Sequence, residues 1–497
     1  AATLQQPVDK VMDLYCRTKG RAHFLCRSGD ILAHDALIGY RKNSWVRLAP
    51  GLKAEERHIR KYPQGRLLSQ VLGYVSKDPE KRVGVTGLEF SQEKFLRGTP
   101  GRIVSARTKQ NRELPEKRIL KVDAKRGADI HLTVNPLVQL AMEEALREAC
   151  ASNNTDTAWA LAMEAATGRI IAMASMPDYE PQNFNAKEFS AAELKGEPYR
   201  NRPVNVNYEP GSVMKPLTAA AAISAGVCTP QSEYDIGTSR VWFYAGKALN
   251  DHPTGILTVR DAIAQSSNIA FAKIGLELNP NRLYSCFSAF GLTKATGIEL
   301  PLESSGMLDK KALLHTDKLK ITRVPIGQGI SVTMLQLVRA YAMFANGGRI
   351  LKPYIIDRIV DADGETIHEG KTEVLGTPIT PKTARQVRDM MLAVTEDPKG
   401  TGKKARVKGY SVAGKTGTAQ MPGENGRGYS SKKYHATFVG MLPASAPRVV
   451  IAVTLANPQP KHTGGDVAAP VFAKIAAAAM QCLEVEPDKP EELMEDD

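Results

Sequence analysis

Hydrophobic residues follow a helical period after a capping signal near position 135. The apolar positions are Val138, Ala141, Met142, Ala145 and Ala149. Asn135 is a suitable N-cap and Pro136 suits the first helical position, so the pattern predicts a helix over residues 137–150. Two short apolar runs follow, residues 159–163 and 170–175, on either side of a Thr-Gly pair. Runs of this length around a glycine turn predict a β-hairpin.

Helical and strand-like patterns continue through most of the remaining chain. Helical segments fill most of residues 212–345, and another helix is expected after Pro381. Strand-like stretches lie at 409–420, 435–442 and 448–456, and a last helix is predicted at 467–482. The turn-rich connections between the strands favour antiparallel pairing. The predicted fold class is therefore α/β (α+β), with residues 128–483 forming one large domain in which helices flank an antiparallel sheet.

The segments outside this domain have a different character. Residues 1–127 are rich in Arg, Lys and Gly, with short strand-like runs at 102–104 and 118–122 between turns. They predict an elongated, mixed α/β module without a compact core of its own. Residues 484–497 are acidic and contain two prolines, which predicts a disordered, solvent-facing tail. The polar, glycine-rich residues 423–433 predict a loop.

The net charge of +13 is distributed unevenly. Residues 1–127 hold 27 basic and 13 acidic residues (+14), residues 128–483 hold 38 and 32 (+6), and the tail holds one and eight (−7). The basic segment suits nucleic acid, an anionic membrane surface or an anionic wall polymer, and it equally suits a solvated face of an elongated module. Nucleic acid is the least favoured partner, because no zinc-finger, basic-zipper or aromatic RNA-binding signature accompanies the charge.

The composition excludes several classes of protein. With 497 residues and 42% hydrophobic residues, the chain is not disordered throughout. Its longest weakly polar runs, such as 217–227, are too short to cross a bilayer. The six cysteines form no Cys-x-x-Cys pair, which argues against a zinc cluster, and the nine histidines show no metal-ligand spacing. No signal-like segment follows Ala1, and we expect that processing or truncation removed the original start.

Three Ser-x-x-Lys sequences occur, at Ser91/Lys94, Ser212/Lys215 and Ser430/Lys433. The first follows a turn-rich stretch and the third lies in the predicted loop. Ser212 instead follows a Pro-Gly turn and opens a long apolar run, so it is predicted to start a buried helix. Taken alone, this arrangement also fits an ordinary serine N-cap with a lysine that reaches the surface.

The spacing at Ser212 fits nucleophilic catalysis. Residues at i and i+3 share a helix face, so Lys215 is expected beside the Ser212 hydroxyl. A serine hydroxyl needs a base to take its proton, and lysine can be that base when burial or a second cation lowers its pKa towards neutrality. The backbone N–H at the helix N-terminus can also help to stabilise an oxyanion.

Two further motifs strengthen this interpretation. Ser266-Ser-Asn268 lies between two apolar helical segments, although a Ser-x-Asn turn alone is usually capping chemistry. Lys415-Thr416-Gly417-Thr418 is the only Lys-[Ser/Thr]-Gly sequence, and it lies within a predicted strand. Glycine weakens a strand unless something approaches its backbone closely, such as a substrate that binds as an extra strand. The alternative is a β-bulge with a surface lysine.

In this order and spacing, the three motifs resemble those of the penicillin-recognising serine acyltransferases. Gly87-Leu-Glu89 and Leu96-Arg-Gly-Thr-Pro-Gly101 resemble the N-terminal pedestal of class B penicillin-binding proteins, and the forms of the three motifs are similar to those of the septal, division-specific members. The chain departs from the family at Cys26-Arg-Ser-Gly29, where Asp-Arg-Asn-Gly is usual, and at Asn135, where Asp is usual.

The resemblance assigns functions to eight residues: Ser212, Lys215, Ser266, Asn268, Lys415, Thr416, Gly417 and Thr418. It implies that Ser212 gives its proton to Lys215 and attacks the bond between the two D-alanines of a peptidoglycan stem peptide. It also implies that Ser266 protonates the departing D-alanine and that Asn268 holds the peptide. The 415–418 motif would hold the terminal carboxylate and line the oxyanion hole.

The resemblance further implies a membrane-anchored, periplasmic D,D-transpeptidase that uses no metal or cofactor and whose anchor is absent from this chain. Its implied partners are stem peptides, β-lactams and membrane proteins of the division machinery, including a lipid II glycosyltransferase. Two alternatives remain open: a β-lactamase or β-lactam sensor of the same fold, and a non-catalytic division scaffold.

Overall fold

The computed structural model describes residues 60–76, 83–109, 113–184, 197–423 and 428–494. From Tyr62 onward they belong to one compact unit. The helices are α1 (Ser69–Leu72), α2 (Gly87–Ser91), α3 (Glu93–Leu96), α4 (Pro136–Ser152), α5 (Arg202–Asn205), α6 (Lys215–Ser224), α7 (Val259–Ala264), α8 (Asn268–Leu278), α9 (Pro280–Ala289), α10 (Lys320–Arg323), α11 (Met334–Ala345), α12 (Pro381–Glu396), α13 (Ala469–Cys482) and α14 (Glu491–Met494).

The strands are β1 (Arg102–Arg107), β2 (Glu113–Val122), β3 (Asp129–Leu132), β4 (Ala158–Glu164), β5 (Ile170–Met176), β6 (Glu233–Asp235), β7 (Val241–Tyr244), β8 (Lys247–Asn250), β9 (Ile256–Thr258), β10 (Ile350–Leu351), β11 (Ile356–Val360), β12 (Thr366–Glu369), β13 (Val374–Gly376), β14 (Ala413–Pro422), β15 (Tyr429–Leu442) and β16 (Val449–Ala456). Short 3₁₀ turns are formed by Gly211–Met214, Val324–Ile326 and Lys403–Ala405, and π-helical turns by Ala312–Thr316 and Gly464–Ala468.

A five-stranded antiparallel sheet organises the domain, with strand order β14-β15-β16-β4-β5. The predicted hairpin is confirmed by β4 and β5, whose turn contains Gly168 at φ 85°. The helix predicted over residues 137–150 is confirmed by α4, and the Asn135 side chain accepts hydrogen bonds from the N–H groups of Leu137 and Val138. The sheet places β14 at one edge.

Alternating residues of β4 contribute to two cores. Ala158, Ala160 and Ala162 pack in the core that contains residues of α4 and α13, whereas Trp159 and Leu161 pack in the core that contains residues of α6, α11 and α12. Successive side chains of a strand point to opposite faces, so helices cover both faces of the sheet. The predicted α/β fold with an antiparallel sheet flanked by helices is confirmed.

Part of the N-terminal segment packs against α4 and β5 of the large domain. The Leu68 N–H donates to Glu143 of α4 at 2.8 Å, and the buried Gln70 amide donates to the Ser175 carbonyl of β5 at 3.1 Å. The predicted boundary between residues 127 and 128 stays a prediction. Residues 1–59, including Cys26-Arg-Ser-Gly29, lie outside the described residues.

Two local predictions are wrong. Residues 429–433, predicted as loop, belong to β15, which pairs with β14 at both ends of this stretch: Pro422 with Tyr429 and Gln420 with Tyr434. Pairing with a neighbouring strand outweighs their polar composition. Residues 212–345 are also less helical than predicted, since β6–β9 form two antiparallel pairs between residues 233 and 258.

The prediction of a disordered tail is wrong for residues 484–494. Asp488 accepts hydrogen bonds from the Ser411 N–H at 2.8 Å and from the Ser445 hydroxyl at 2.7 Å. Lys489 donates to Glu396 at 3.1 Å. These hydrogen bonds hold the segment against the domain, and it ends in α14. Residues 495–497 lie outside the described residues.

Candidate active site

Ser212 lies on the 3₁₀ turn Gly211–Met214, directly before α6. Gly211 has φ 62°, and its N–H donates to the Gly327 carbonyl at 3.1 Å. The buried Tyr341 hydroxyl donates to the Val213 carbonyl at 2.6 Å. The turn is thus held from two sides, and the Ser212 side chain is half-buried. Among the described residues, its hydroxyl has no hydrogen-bond partner.

Lys215 begins α6 and is fully buried. Its amine donates to the Ser266 carbonyl at 2.5 Å, to the Ser266 hydroxyl at 3.1 Å and to the Asn268 side-chain oxygen at 2.8 Å. Burial lowers the pKa of Lys215 from its ordinary 10.5 to about 7, and the charge of Asp251 opposes that shift. The amine is therefore directed to the Ser-x-Asn turn, and in the described part of the chain it makes no hydrogen bond to Ser212.

Ser266 connects the two lysines. Its hydroxyl accepts from Lys215 at 3.1 Å and from Lys415 at 2.9 Å. Its backbone has φ 62°, a left-handed conformation that a non-glycine residue keeps only when its surroundings enforce it. Ser267 is the N-cap of α8 and accepts from the Ala270 N–H. The Asn268 amide donates to the Asn250 carbonyl at 2.9 Å, which fixes the orientation of the side-chain oxygen that meets Lys215.

The fully buried Lys415 enters the same cluster from β14. Besides Ser266, it contacts the Thr416 carbonyl at 3.1 Å and the Thr416 hydroxyl at 3.3 Å. Burial and the nearby Lys215 hold the pKa of Lys415 well below its ordinary value. Two amines thus converge on one hydroxyl, which is a suitable arrangement for moving protons.

Gly417 allows β14 to approach the turn that carries Ser212. A Cβ atom at this position would lie 2.9 Å from the Pro210 carbonyl oxygen and 3.0 Å from a methyl group of Val213. The sequence predicted a close approach at this glycine by a substrate, and the structure shows one by the chain's own turn. Thr418 accepts from the Gly464 N–H at 3.1 Å, so the π-helical turn closes on the same strand.

The other two Ser-x-x-Lys sequences have local roles. The Ser91 hydroxyl donates to the Glu299 carbonyl at 2.7 Å, and Lys94 lies 4.5 Å from the centre of the Phe95 ring. The Ser430 hydroxyl accepts from the N–H groups of its neighbours Lys432 and Lys433. Of the three, the Ser212 sequence is the one that the structure joins to the other two motifs.

Sequence reasoning missed Asp251, which is 6% exposed and whose carboxylate binds the backbone of the Ser-x-Asn turn. Its carboxylate accepts from the N–H groups of Asn268 and Ile269, both at 2.9 Å, and from the Ser267 hydroxyl at 2.5 Å. The sequence contains only a weak signal for this residue, namely an acidic residue in a turn after a short strand.

Two negative findings apply to the described residues. Within them, no group of three or more His, Cys, Asp or Glu side chains is placed to bind a metal. None of the described helices has the length and apolarity needed to cross a bilayer.

Comparison with known protein families shows to which family this chain belongs. The family model for the penicillin binding protein transpeptidase domain matches residues 158–477, and that for the penicillin-binding protein dimerisation domain matches residues 42–132. The chain belongs to the class B penicillin-binding proteins. The resemblance stated from the sequence is confirmed.

Relatives of this penicillin-binding protein cover most of its length. Penicillin-binding protein PbpB of Mycolicibacterium smegmatis is 32% identical, over 87% of this chain and 66% of the relative. Peptidoglycan D,D-transpeptidase FtsI of Escherichia coli is 31% identical, over 98% of this chain and 77% of the relative. The chain therefore spans roughly two thirds to three quarters of these relatives.

Solved structures have the same fold. The apo crystal structure of penicillin binding protein 3 from Mycobacterium tuberculosis has a TM-score of 0.74 at 30% identity, over 87% of this chain and 92% of that one. The same protein complexed with ampicillin has a TM-score of 0.74 at 29% identity, over 86% and 90%. The similarity thus extends to a protein that binds a β-lactam.

Proposed function

We propose that this penicillin-binding protein is a septal peptidoglycan D,D-transpeptidase that cross-links stem peptides through a serine acyl-enzyme and is acylated by β-lactams. The observation that carries the proposal is the convergence of Lys215, Ser266 and Lys415 beside the turn that holds Ser212. The names of the relatives support the reaction class, since one of them is a peptidoglycan D,D-transpeptidase.

In the first proposed step, the Ser212 oxygen attacks the carbonyl carbon between the two D-alanines and its proton passes to neutral Lys215. The new ester forms while the amide bond breaks, and the departing amine of D-alanine receives a proton through Ser266. The Ser266 hydroxyl suits this transfer because it already contacts both amines. With a pKa of about 7, Lys215 is partly neutral near neutral pH.

In the second step, the amine of a neighbouring stem peptide attacks the ester carbonyl carbon, and the new amide bond forms while the ester bond to Ser212 breaks. A proton of the attacking amine passes through Lys215 to the Ser212 oxygen. The N–H groups of Ser212 and Thr418 are proposed to stabilise the oxyanion in both steps, a contribution of roughly 3–4 kcal/mol per donor. Asn268 is proposed to hold the peptide backbone, and the 415–418 strand, including Thr416, the terminal carboxylate. The position of β14 at the sheet edge supports a substrate that binds as an added strand.

The biological setting is also a proposal. We infer a cytoplasmic-membrane anchor outside this chain and a catalytic domain on the periplasmic or extracellular side. Partners among the membrane proteins of the division machinery, including a lipid II glycosyltransferase, follow from the family resemblance alone.

A cross-linking assay tests the proposed function. The protein is incubated with a pentapeptide ending in D-Ala-D-Ala and with an amine acceptor, and released D-alanine and cross-linked product are measured. Both products should form, and Ser212→Ala should abolish them. Ser430→Ala is the matched control, because it removes the serine of another Ser-x-x-Lys sequence, and it should retain wild-type activity.

The alternatives give different results. Rapid, repeated hydrolysis of benzylpenicillin without cross-linking would favour a β-lactamase. Absence of both product formation and covalent labelling would favour a non-catalytic scaffold.

A further inference from the structure

Asp251 follows β8 and lies at the N-terminus of α8, next to the Ser-x-Asn turn. One carboxylate oxygen accepts from the N–H groups of His252 and Asn268, both at 2.9 Å. The other accepts from the Ser267 hydroxyl at 2.5 Å and from the Ile269 N–H at 2.9 Å. A carboxylate offers about four acceptor positions, so its capacity is filled by three donors of this turn and by the N–H of its chain neighbour His252.

We propose that Asp251 is a positioning residue for acyl transfer: its carboxylate holds the Ser266–Asn268 turn in the geometry that presents Ser266 and Asn268 to Lys215. The inference rests on the proposed function and concerns how the same site is built. Of the eight residues through which the reaction is proposed to run, Asp251 forms a hydrogen bond only with Asn268, through the backbone N–H of that residue.

Three observations on the turn support this role. Ser266 keeps the left-handed φ of 62°, which needs external support. Asp251 supplies that support to the three residues that follow Ser266, namely Ser267, Asn268 and Ile269. The neighbouring Asn250 carbonyl accepts from the Asn268 amide at 2.9 Å. Two consecutive residues therefore fix both the backbone and the side chain of Asn268.

The charge of Asp251 has a second consequence. The charged groups that act on Lys215 are Asp251, from the end of β8, and Lys415, from β14. Asp251 favours the protonated form of Lys215 and so opposes the effect of burial on its pKa. Removing the charge should lower this pKa further, so that Lys215 becomes neutral at a lower pH.

Asp251→Asn tests the proposal because it preserves shape. The NH₂ group of the new asparagine faces one pair of donors, either Ser267 and Ile269 or Asn268 and His252. It cannot accept hydrogen bonds from that pair. The second-order rate of acylation by benzylpenicillin, measured against pH, should fall roughly 10- to 100-fold at its plateau. The acidic limb of the profile should move to lower pH, a change that a purely structural role would not produce.

Two further variants complete the test. Ser267→Ala removes one partner of Asp251 but keeps the charge, so the rate should fall roughly 3- to 10-fold with the acidic limb unshifted. Asp261→Asn is the matched control: Asp261 lies in the first turn of α7 and its N–H is capped by Thr258. The acylation rate of Asp261→Asn, measured against pH, should equal that of the wild type. Thermal unfolding of each variant gives the folded fraction.

The proposal is overturned if Asp251→Asn is acylated at the wild-type rate, or if its rate falls only in proportion to the unfolded fraction and the acidic limb stays in place. If Asp251→Asn does not fold, a wild-type rate for Ser267→Ala overturns it. A wild-type protein that benzylpenicillin does not acylate would refute the proposed function, whereas an acylated wild type with unaffected variants refutes the role of Asp251 alone.

Discussion

Replacement of Lys215 by methionine removes the amine from the candidate site while nearly preserving the length of the side chain. In the wild type, this amine is fully buried and donates to Ser266 and to Asn268. Methionine can occupy the same space but can neither accept a proton nor donate a hydrogen bond. The variant therefore separates the chemistry of Lys215 from its packing.

The pKa of Lys215 determines the expected effect on activity. An amine with a pKa of about 7 is about half neutral at pH 7, whereas one with the ordinary value of 10.5 is neutral in roughly one molecule of 3,000. The acylation rate of the wild type should fall about tenfold per pH unit below about pH 6, because protonated Lys215 cannot act as base. Lys215→Met should lose roughly 10²- to 10⁴-fold at neutral pH, the usual contribution of a general base, and its acidic limb should disappear.

The same pKa predicts how stability changes with pH. The difference between 10.5 and about 7 corresponds to roughly 5 kcal/mol of cost for the buried ammonium below pH 7. Between these values the unfolded chain binds more protons than the folded chain, so the free energy of unfolding of the wild type rises with pH. Lys215→Met lacks the titrating amine and therefore this rise. Its free energy of unfolding relative to the wild type should fall by roughly 4 kcal/mol between pH 7 and pH 10.

Stopped-flow acylation by a chromogenic β-lactam and urea unfolding at several pH values measure both effects. Lys433→Met is the control, because it removes the lysine of another Ser-x-x-Lys sequence, and it should show neither effect. Undiminished acylation of Lys215→Met would remove Lys215 as the base. A stability difference that does not change with pH would show that the amine is not held in a low-pKa environment.

Two other predictions concern the surroundings of the site. Gly417→Ala should lower the acylation rate at least tenfold, because the new Cβ lies 2.9 Å from the Pro210 oxygen and pushes β14 away from the Ser212 turn, whereas Gly376→Ala, with nothing within 4 Å, should be neutral. Equal rates for the two variants would contradict the proposed close approach. Asp488→Ala should lower the free energy of unfolding by roughly 1–3 kcal/mol, because it leaves Ser411 and Ser445 without their acceptor. Burial raises the pKa of Asp488, but hydrogen bonds from Ser411 and Ser445 outweigh it and hold the pKa below its ordinary value, so this contribution should be lost as the pH falls through the folded-state pKa. A urea titration that gave equal stabilities for the wild type and Asp488→Ala at neutral pH would disprove this function of the tail.

Features that depend on local sequence were predictable. The hairpin of β4 and β5 and the capped helix α4 follow from short-range periodicity and capping, which tertiary contacts reinforce. The motif residues were also found, because Ser212-x-x-Lys215 begins a buried helix and Lys415-Thr-Gly lies in a strand. Their roles in catalysis stay predictions.

Features that depend on long-range contacts were not predictable. Lys215 was expected beside Ser212 on helical spacing, but its hydrogen bonds go to a turn 51 and 53 residues further along the chain. Asp251 precedes Asn268 by 17 positions, with β9 and α7 between them, and no local pattern connects the two residues. The tail at Asp488 has a disorder-like composition, yet Ser411 and Ser445 hold it in place.

Three distant motifs form the candidate site, and Ser212 is its proposed nucleophile. Intact-mass spectrometry after incubation with benzylpenicillin, followed by peptide mapping, identifies the residue that is acylated. We expect a single covalent adduct on the peptide that contains Ser212, and none in Ser212→Ala. An adduct on a different residue, or no adduct on the folded wild-type protein, would contradict this proposal.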